Sequence, residues 1–183
     1  MKHLIFLYSL IGLSIPSLCQ SRVIPKPDFT NQVYYYDTTS GNMIRCEKTT
    51  ASTLAQTKLF KVKISYEIQG VTSSVRVPQG AQITFLLDLG NANWGAPETS
   101  LAMYKAETNK KIRKVLLESA SAVGPTHEQD NQIRLDVKNL GNGVYQFFPS
   151  SSLEKGEYVF KPLLQENVSA SRNMITVFCI TVY

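Results

Sequence analysis

The sequence predicts an all-β protein, a single Ig-like, Greek-key β-sandwich of about ten short strands spanning residues 31–183. Three observations lead to this fold class. Apolar and polar residues alternate in several short segments, turn residues separate these segments at regular intervals, and a tyrosine-corner motif lies near the C-terminus. Alternation with a period of two is typical of strands that bury one face, and closely spaced turns favour antiparallel sheets over βαβ units.

The tyrosine-corner motif has the pattern Leu-x-x-Gly-x-Tyr and consists of Leu153, Gly156 and Tyr158. In Greek-key sandwiches such a tyrosine lies where the chain turns from one sheet into the other. Its ring packs in the core, and its hydroxyl hydrogen-bonds backbone a few residues upstream. We therefore assign structural roles to all three residues. The motif predicts an architecture and carries no chemistry.

The N-terminus has the pattern of a secretory signal peptide over residues 1–19. One basic residue precedes an apolar run at positions 4–15, and a proline and small residues follow it. The run is shorter than the roughly 20 residues that span a bilayer. We expect cleavage after Cys19 and export to the periplasm, the cell surface or the medium. The alternative is a lipoprotein anchored through Cys19, which Leu18 disfavours because a small residue normally precedes a lipid-bearing cysteine.

The rest of the composition fits one exported domain. The formal net charge of +5 weakly favours anionic partners. Export and the lack of a recognition motif disfavour nucleic acid. Residues 20–30 contain Pro25 and Pro27 and no periodicity, so we expect an extended N-terminal segment. No second apolar segment approaches membrane-spanning length, which predicts no transmembrane segment after signal cleavage.

Two cysteines, Cys46 and Cys179, remain after cleavage. In an oxidising compartment they could form one disulfide that ties the N-terminal region to the last strand. The alternative is two separate buried thiols, because cysteine behaves as a small apolar residue. The sequence leaves both possibilities open.

The predicted strands follow one another between turn signals along the chain. The clearest is 60–69, where five apolar residues alternate with five polar ones. The segment 81–89 is more continuously apolar and is expected at the centre of a sheet. In chain order the other predicted strands are a hairpin of 32–36 with 43–47, then 75–77, 133–137, 144–148, 158–164 and 174–183.

Residues 98–120 are ambiguous between a hairpin and a helix. Their content of Ala, Met, Lys, Glu and Leu favours a helix, and several apolar residues lie near helical spacing. The turn residues at 108–111 instead favour a hairpin of 101–106 with 112–117. We prefer the hairpin because the surrounding chain is all β, and keep the helix as a possibility.

The order of these features resembles secreted, uncharacterised β-sandwich proteins of Bacteroidetes-type bacteria. The features are the signal peptide, an aromatic hairpin, the strand ending at Gly70, Gly143-Val144-Tyr145, the tyrosine corner and a Phe-Cys terminal strand. The resemblance spans most of the mature chain and implies the fold. It implies no activity and assigns no functional residue.

The aromatic candidates for ligand binding are Trp94, Tyr34 and Tyr36. Aromatic faces stack on sugars or on apolar surfaces of a partner, and Trp94 lies in a glycine-flanked loop. In a strand Tyr34 and Tyr36 share one face and Tyr35 takes the other, so at least one face is expected to be core. Packing over the end of the sandwich is the alternative role for Trp94.

A basic cluster surrounds the turn of the expected hairpin, formed by Lys105, Lys110, Lys111, Arg113 and Lys114. From this cluster we select Lys110, Lys111 and Arg113 as candidate binding residues. They could meet an anionic glycan, lipid headgroups or an acidic protein. The alternative is a solvated turn whose charges protect an edge strand from aggregation.

No catalytic or metal-binding constellation is evident in the sequence. The one histidine of the mature chain, His127, lies in a polar loop without a second histidine to share a metal, and no Gly-x-Ser-x-Gly elbow is present. We therefore expect no cofactor and no catalytic residue. The expected function is that of an exported, non-enzymatic interaction or envelope-assembly accessory protein with a protein or glycan partner. The alternatives are a small carbohydrate-binding module using Trp94 and the N-terminal tyrosines, and a hydrolase.

Overall fold

The computed structural model describes residues 24–58, 61–80, 82–90, 97–121, 127–128, 131–163 and 173–183. These residues form fourteen strands and one short 3₁₀ helix at Pro97–Thr99. The all-β class is confirmed. The expected signal peptide and its cleavage site lie outside the described residues.

In chain order the strands are β1 (Val33–Asp37), β2 (Met43–Arg45), β3 (Glu47–Lys58), β4 (Lys61–Gln69), β5 (Arg76–Val77), β6 (Ile83–Asp88), β7 (Leu101–Asn109), β8 (Ile112–Ser121), β9 (His127–Glu128), β10 (Gln132–Ile133), β11 (Leu135–Gly141), β12 (Val144–Pro149), β13 (Gly156–Pro162) and β14 (Met174–Val182). Every predicted strand has a counterpart among them. The longest, β3, was not predicted as a separate strand.

Five strands form an antiparallel sheet in the order β11-β12-β6-β1-β2. The β1–β2 hairpin matches the hairpin expected from the sequence. All six residues of β6 are buried, and β6 lies in the middle of the sheet. The central position expected from its continuous apolar run is therefore confirmed.

The other main strands close into a six-stranded barrel in the order β7-β13-β14-β3-β4-β8, with β8 pairing back onto β7. The strands β9, β10 and β5 add to β8, β7 and β14. The sequence predicted an Ig-like, Greek-key β-sandwich, whereas these six strands form a closed barrel next to the five-stranded sheet. The difference arises at β3, which joins β14 to β4 and completes the ring of strands.

The five-stranded sheet packs face to face on the wall of the barrel formed by β7, β13 and β14. Along β13 the side chains alternate, since Tyr158 and Phe160 join the cluster shared with the sheet while Val159 joins the cluster inside the barrel. Phe85 of β6 meets Phe160 edge-on, with ring centroids 4.5 Å apart. Two antiparallel layers thus share one core on this side, as in a sandwich.

The tyrosine corner is confirmed in its local geometry. Tyr158 is 1% exposed, and its hydroxyl donates a hydrogen bond of 2.8 Å to the backbone oxygen of Glu154. Leu153 is buried beside it in the shared core. Gly156 has a φ of 151°, which side chains rarely adopt. The motif lies where the chain leaves β12 in the sheet and enters β13 in the barrel.

Residues 98–120 form the β7–β8 hairpin after the short 3₁₀ turn, and the helical alternative is wrong for the described residues. Burial on both faces of β7 explains the ambiguity. Leu101 and Met103 contact the shared core, whereas Ala102, Tyr104 and Ala106 face the barrel interior. A strand apolar on both faces loses its period of two and reads like a buried helix.

The N-terminal segment has no regular structure from residue 24 to residue 30 and covers the outer face of the five-stranded sheet. Ile24 packs against the cluster of Tyr34, Tyr36 and Leu86. Lys26 Nζ lies 3.2 Å from the buried carboxylate of Asp88. This segment therefore supplies a third layer over part of the sheet.

Candidate binding groove at one end of the barrel

A groove opens at one end of the barrel because β7 changes neighbours. Residues 101–106 of β7 pair with β13, whereas residues 107–109 pair with β8. The divergence of β7 from β13 leaves a space of about 570 Å³. Four segments line it: residues 71–72 after β4, the end of β7 with its turn, the start of β13 and the end of β14. Its volume is within the range of ligand-binding clefts.

Two buried polar side chains form the floor of the groove. Glu157 of β13 is 4% exposed, and Thr181 of β14 lies beside it. The Thr181 hydroxyl donates a 2.7 Å hydrogen bond to Glu157 Oε1, and the backbone N–H of Ser73 donates one of 2.9 Å to Glu157 Oε2. Both oxygens of this carboxylate are therefore engaged by the protein, as burial requires.

Arg113 connects Glu157 to a second carboxylate behind the floor. Its guanidinium is 1% exposed and donates a 2.8 Å bond from Nη2 to Glu47 Oε1. Its Nη1 lies 3.7 Å from Glu157 Oε2, and its Nε donates to the backbone oxygen of Gly70. We call Glu47, Ser73, Arg113, Glu157 and Thr181 the polar plug, since they fill this end of the barrel next to the apolar interior.

The plug holds Glu47 in its charged form. Burial alone raises the pKa of this carboxyl, but the hydrogen bonds from Arg113, Ser73 and Ser74 outweigh it, and the pKa lies below the ordinary value. The backbone N–H of Ser74 donates to Glu47 Oε2 at 2.7 Å. The plug therefore also secures the loop that follows β4, since both Ser73 and Ser74 belong to that loop.

The rim of the groove carries three lysines. Lys105 Nζ lies 2.5 Å from the carboxylate of the exposed Glu154. This hydrogen bond raises the pKa of Lys105 and lowers the pKa of Glu154. Lys110 and Lys155 are exposed, and neither has a carboxylate within 4 Å among the described residues. The charged side chains that the groove lining presents to solvent are thus lysines, among neutral residues.

The residues of the basic cluster expected from the sequence do not share one surface in the structure. Lys110 and Lys111 are exposed at the hairpin turn, as expected for binding residues, and Lys110 lines the groove. The assignment of Arg113 as a binding residue is wrong, because its side chain points into the barrel and its guanidinium pairs with Glu47 in the polar plug. Lys114 points outward and pairs with Glu67 at 3.3 Å. The alternation of strand residues explains why Arg113 and Lys114 differ.

The assignment of Tyr34 and Tyr36 as surface binding residues is also wrong. Tyr34 and Tyr36 are 2% and 3% exposed, and they pack with Leu86 under the N-terminal segment. Tyr35 faces the core shared with the barrel, so the predicted division of the faces is confirmed. Both faces are core because a third layer covers the outer one. Trp94 lies outside the described residues.

The cysteines are free and buried. Cys46 belongs to the core shared with the sheet and Cys179 to the barrel interior, so they lie on opposite faces of the wall. Of the two possibilities that the sequence left open, the structure therefore has two separate buried thiols and no disulfide between Cys46 and Cys179. Burial is the main cause that raises the pKa of Cys179 to about 12.

Several residues of the site were not predicted from the sequence. They are Lys155, which follows the serine run, and the plug residues Glu47, Ser73, Glu157 and Thr181. Glu157 and Thr181 could have been assigned to the barrel interior from their spacing, because each is two residues from an interior residue, Val159 and Cys179 respectively. That assignment requires knowing which face of each strand points inward, which the sequence does not show. His127 is the first residue of β9. In the described part of the chain, no group of three or more His, Cys, Asp or Glu residues could hold a metal ion.

Comparisons with known proteins return no match to a family model, to a curated protein or to a solved structure. Within the described ranges, no helix has the length and apolarity needed to cross a membrane. The resemblance to secreted β-sandwich proteins of Bacteroidetes-type bacteria stays a prediction.

Proposed function

We propose that this protein is an exported, non-enzymatic interaction protein that serves as an accessory component of an envelope assembly. The observation that supports this best is the open groove where β7 leaves β13. It presents lysine side chains to solvent at the rim of the barrel. Rigid elements that carry polar groups at a concave surface are a common form of protein binding site.

Export is part of the proposal and rests on the N-terminal pattern of residues 1–19. The Ig-like relationship belongs to it too, supported by the tyrosine corner at the passage from β12 to β13, although the closed barrel departs from that fold. Mass spectrometry of the protein from the exported fraction should give Gln20 as its first residue. A mature chain that retains residues 1–19, or that begins with a lipid-modified Cys19, contradicts this part.

A non-enzymatic role is supported by the state of the ionisable groups nearest the groove. Arg113 lies between Glu47 and Glu157, and both carboxylates also accept hydrogen bonds from backbone N–H groups. A general acid or base must instead reach the proton that it transfers. The hydrolase alternative makes the opposite prediction, namely turnover on a hydrolase substrate panel that is lost in Glu157→Gln or His127→Ala. Such a loss with an unchanged fold would overturn the non-enzymatic proposal.

The direct test of an interaction function is capture from the native envelope. The tagged mature protein, cross-linked in cells and purified, should retain a defined partner in stoichiometric yield. A separate β-barrel protein of the same compartment with the same tag is the control. Recovery of the protein free and monomeric from the cross-linked envelope would contradict the proposal.

The carbohydrate-binding alternative now rests on Trp94 alone, because Tyr34 and Tyr36 are buried. It predicts that a glycan array shows binding that Trp94→Ala removes. Binding that survives this substitution, or no binding at all, rejects it.

A further inference from the structure

We propose that the groove binds an extended acidic peptide segment of a partner protein, whose carboxylates pair with Lys105, Lys110 and Lys155. The proposal rests on the interaction function proposed above and names the partner chemistry at that site. The segment would lie between the start of β13 and the β7–β8 turn, where the two strands diverge.

The distribution of charge favours an anionic ligand. The carboxylate on the floor, Glu157, already accepts hydrogen bonds at both oxygens and faces the Arg113 guanidinium. It therefore has little capacity left to hold a cation from solution. Lys110 and Lys155 reach solvent on opposite sides of the groove without a carboxylate within 4 Å among the described residues. A ligand that enters meets ammonium groups first.

In the unbound protein, the Glu154 carboxylate occupies the position at Lys105 that a ligand carboxylate would take. Its carboxylate lies 2.5 Å from Lys105 Nζ, while the side chain is 79% exposed and lies outside the groove lining. An incoming carboxylate can replace it at Lys105 with little rearrangement, since an exposed pair contributes little to stability. The Glu154 side chain thus competes with the ligand, and its removal is expected to strengthen binding.

Peptide is favoured over an anionic glycan and over lipid headgroups by the groove lining. None of its described lining residues is aromatic, whereas sugar rings are usually held by aromatic faces. Val71 offers an apolar contact and is 39% exposed. The lysines flank a cleft between strands, and a membrane surface would need them on a convex or flat face. Together these features fit alternating acidic and small apolar side chains.

The test uses the full mature protein and a fluorescein-labelled octapeptide of alternating glutamate and alanine. Fluorescence anisotropy at low salt should show saturable binding that weakens as the salt concentration rises. Lys110→Gln with Lys155→Gln should weaken it about 5- to 20-fold, if each pair has the strength of an exposed ion pair. Glu154→Gln should tighten it about twofold or more. Lys138→Gln, an exposed lysine on β11 of the other sheet, is the matched control and should change nothing.

A carboxylated oligosaccharide and phosphatidylglycerol vesicles are the competing ligands. The proposal is overturned by an absence of peptide binding, by binding that the double lysine variant leaves unchanged, or by tighter binding of the oligosaccharide or the vesicles. Circular dichroism and the thermal midpoint verify that each variant is folded. If the double lysine variant still captures the envelope partner in full yield, the groove assignment fails while the interaction function stands. If the wild type captures no partner, the interaction function itself fails.

Discussion

At the scale of single residues, Tyr158 links the sequence motif to the structure. Its ring fills the shared core, and its one hydroxyl bond ties the start of β13 to the backbone of Glu154. The sequence predicted both contacts because the motif depends on local spacing, which is visible without the rest of the fold. The roles of Arg113 and Tyr34 were missed because both depend on what packs over them from distant parts of the chain.

Tyr158→Phe is expected to lower the free energy of unfolding by about 1 kcal/mol, because it removes one partly buried hydrogen bond to the backbone oxygen of Glu154. Chemical denaturation at neutral pH measures the change. Tyr183→Phe is the matched control, since Tyr183 is half exposed and its ring can keep its contact with Arg76. Equal stability of Tyr158→Phe and wild type would show that the corner bond contributes nothing.

Gly143 lies in the turn between β11 and β12, at a φ of 78°. A Cβ there would lie 2.0 Å from the backbone oxygen of Gly90, so the neighbouring loop would have to move. Gly143→Ala should cost about 1–2 kcal/mol for the backbone conformation and about 1–3 kcal/mol more for the overlap. Thermal and denaturant unfolding measure the sum.

Gly141→Ala separates the two contributions. Gly141 has a φ of 89°, and nothing lies within 4 Å of the added Cβ, so only the conformational cost of about 1–2 kcal/mol applies. If both alanine variants lose the same stability, the close approach of Gly143 to Gly90 has no energetic effect.

At the scale of elements, strand patterns were readable wherever one face was apolar. β4 and the start of β11 show such patterns, and both were predicted. β3 was missed because its four threonines and its other polar residues show no apolar period, and Ala51 is its one residue in the interior cluster. Because β3 completes the barrel, a sequence analysis that misses β3 predicts a sandwich in place of a closed barrel next to a sheet.

The polar plug joins five segments and is expected to behave as one unit. Arg113→Met leaves two carboxylates unpaired and should cost about 3–5 kcal/mol, because the guanidinium is almost fully buried. Adding Glu157→Gln should recover much of this loss, since one buried charge then disappears. The amide oxygen can still accept from the Ser73 N–H, and the amide N–H can donate to the Thr181 hydroxyl. Denaturant unfolding of the single and double variants measures their coupling. Strictly additive losses would show that Arg113 and Glu157 act independently.

At the scale of the whole molecule, stability should fall in acid partly through Glu47. The pKa of this group is lowered in the folded state, so its contribution is complete above the ordinary value near 4.5 and disappears as the pH falls through the folded value. The free energy of unfolding of wild type should therefore decline more steeply than that of Glu47→Gln between roughly pH 5 and pH 3.

The same two proteins contain Asp37 and Glu154, whose pKa values are also lowered, so their contributions cancel in the comparison. Denaturant titrations at a series of pH values, with salt held constant, give the two curves. Parallel curves would mean that the plug does not stabilise the charged form of Glu47.

The place of β14 in the ring has a consequence for the order of folding. It pairs with β13 on one side and with β3 on the other, and it carries β5 beyond them. Until residues 174–182 leave the ribosome, β3 and β13 are open edges and the plug lacks Thr181. Contacts between segments so distant in sequence form slowly. The barrel therefore cannot close before residues 174–182 have been made, which would keep the polypeptide unfolded for the translocation that the proposed export requires.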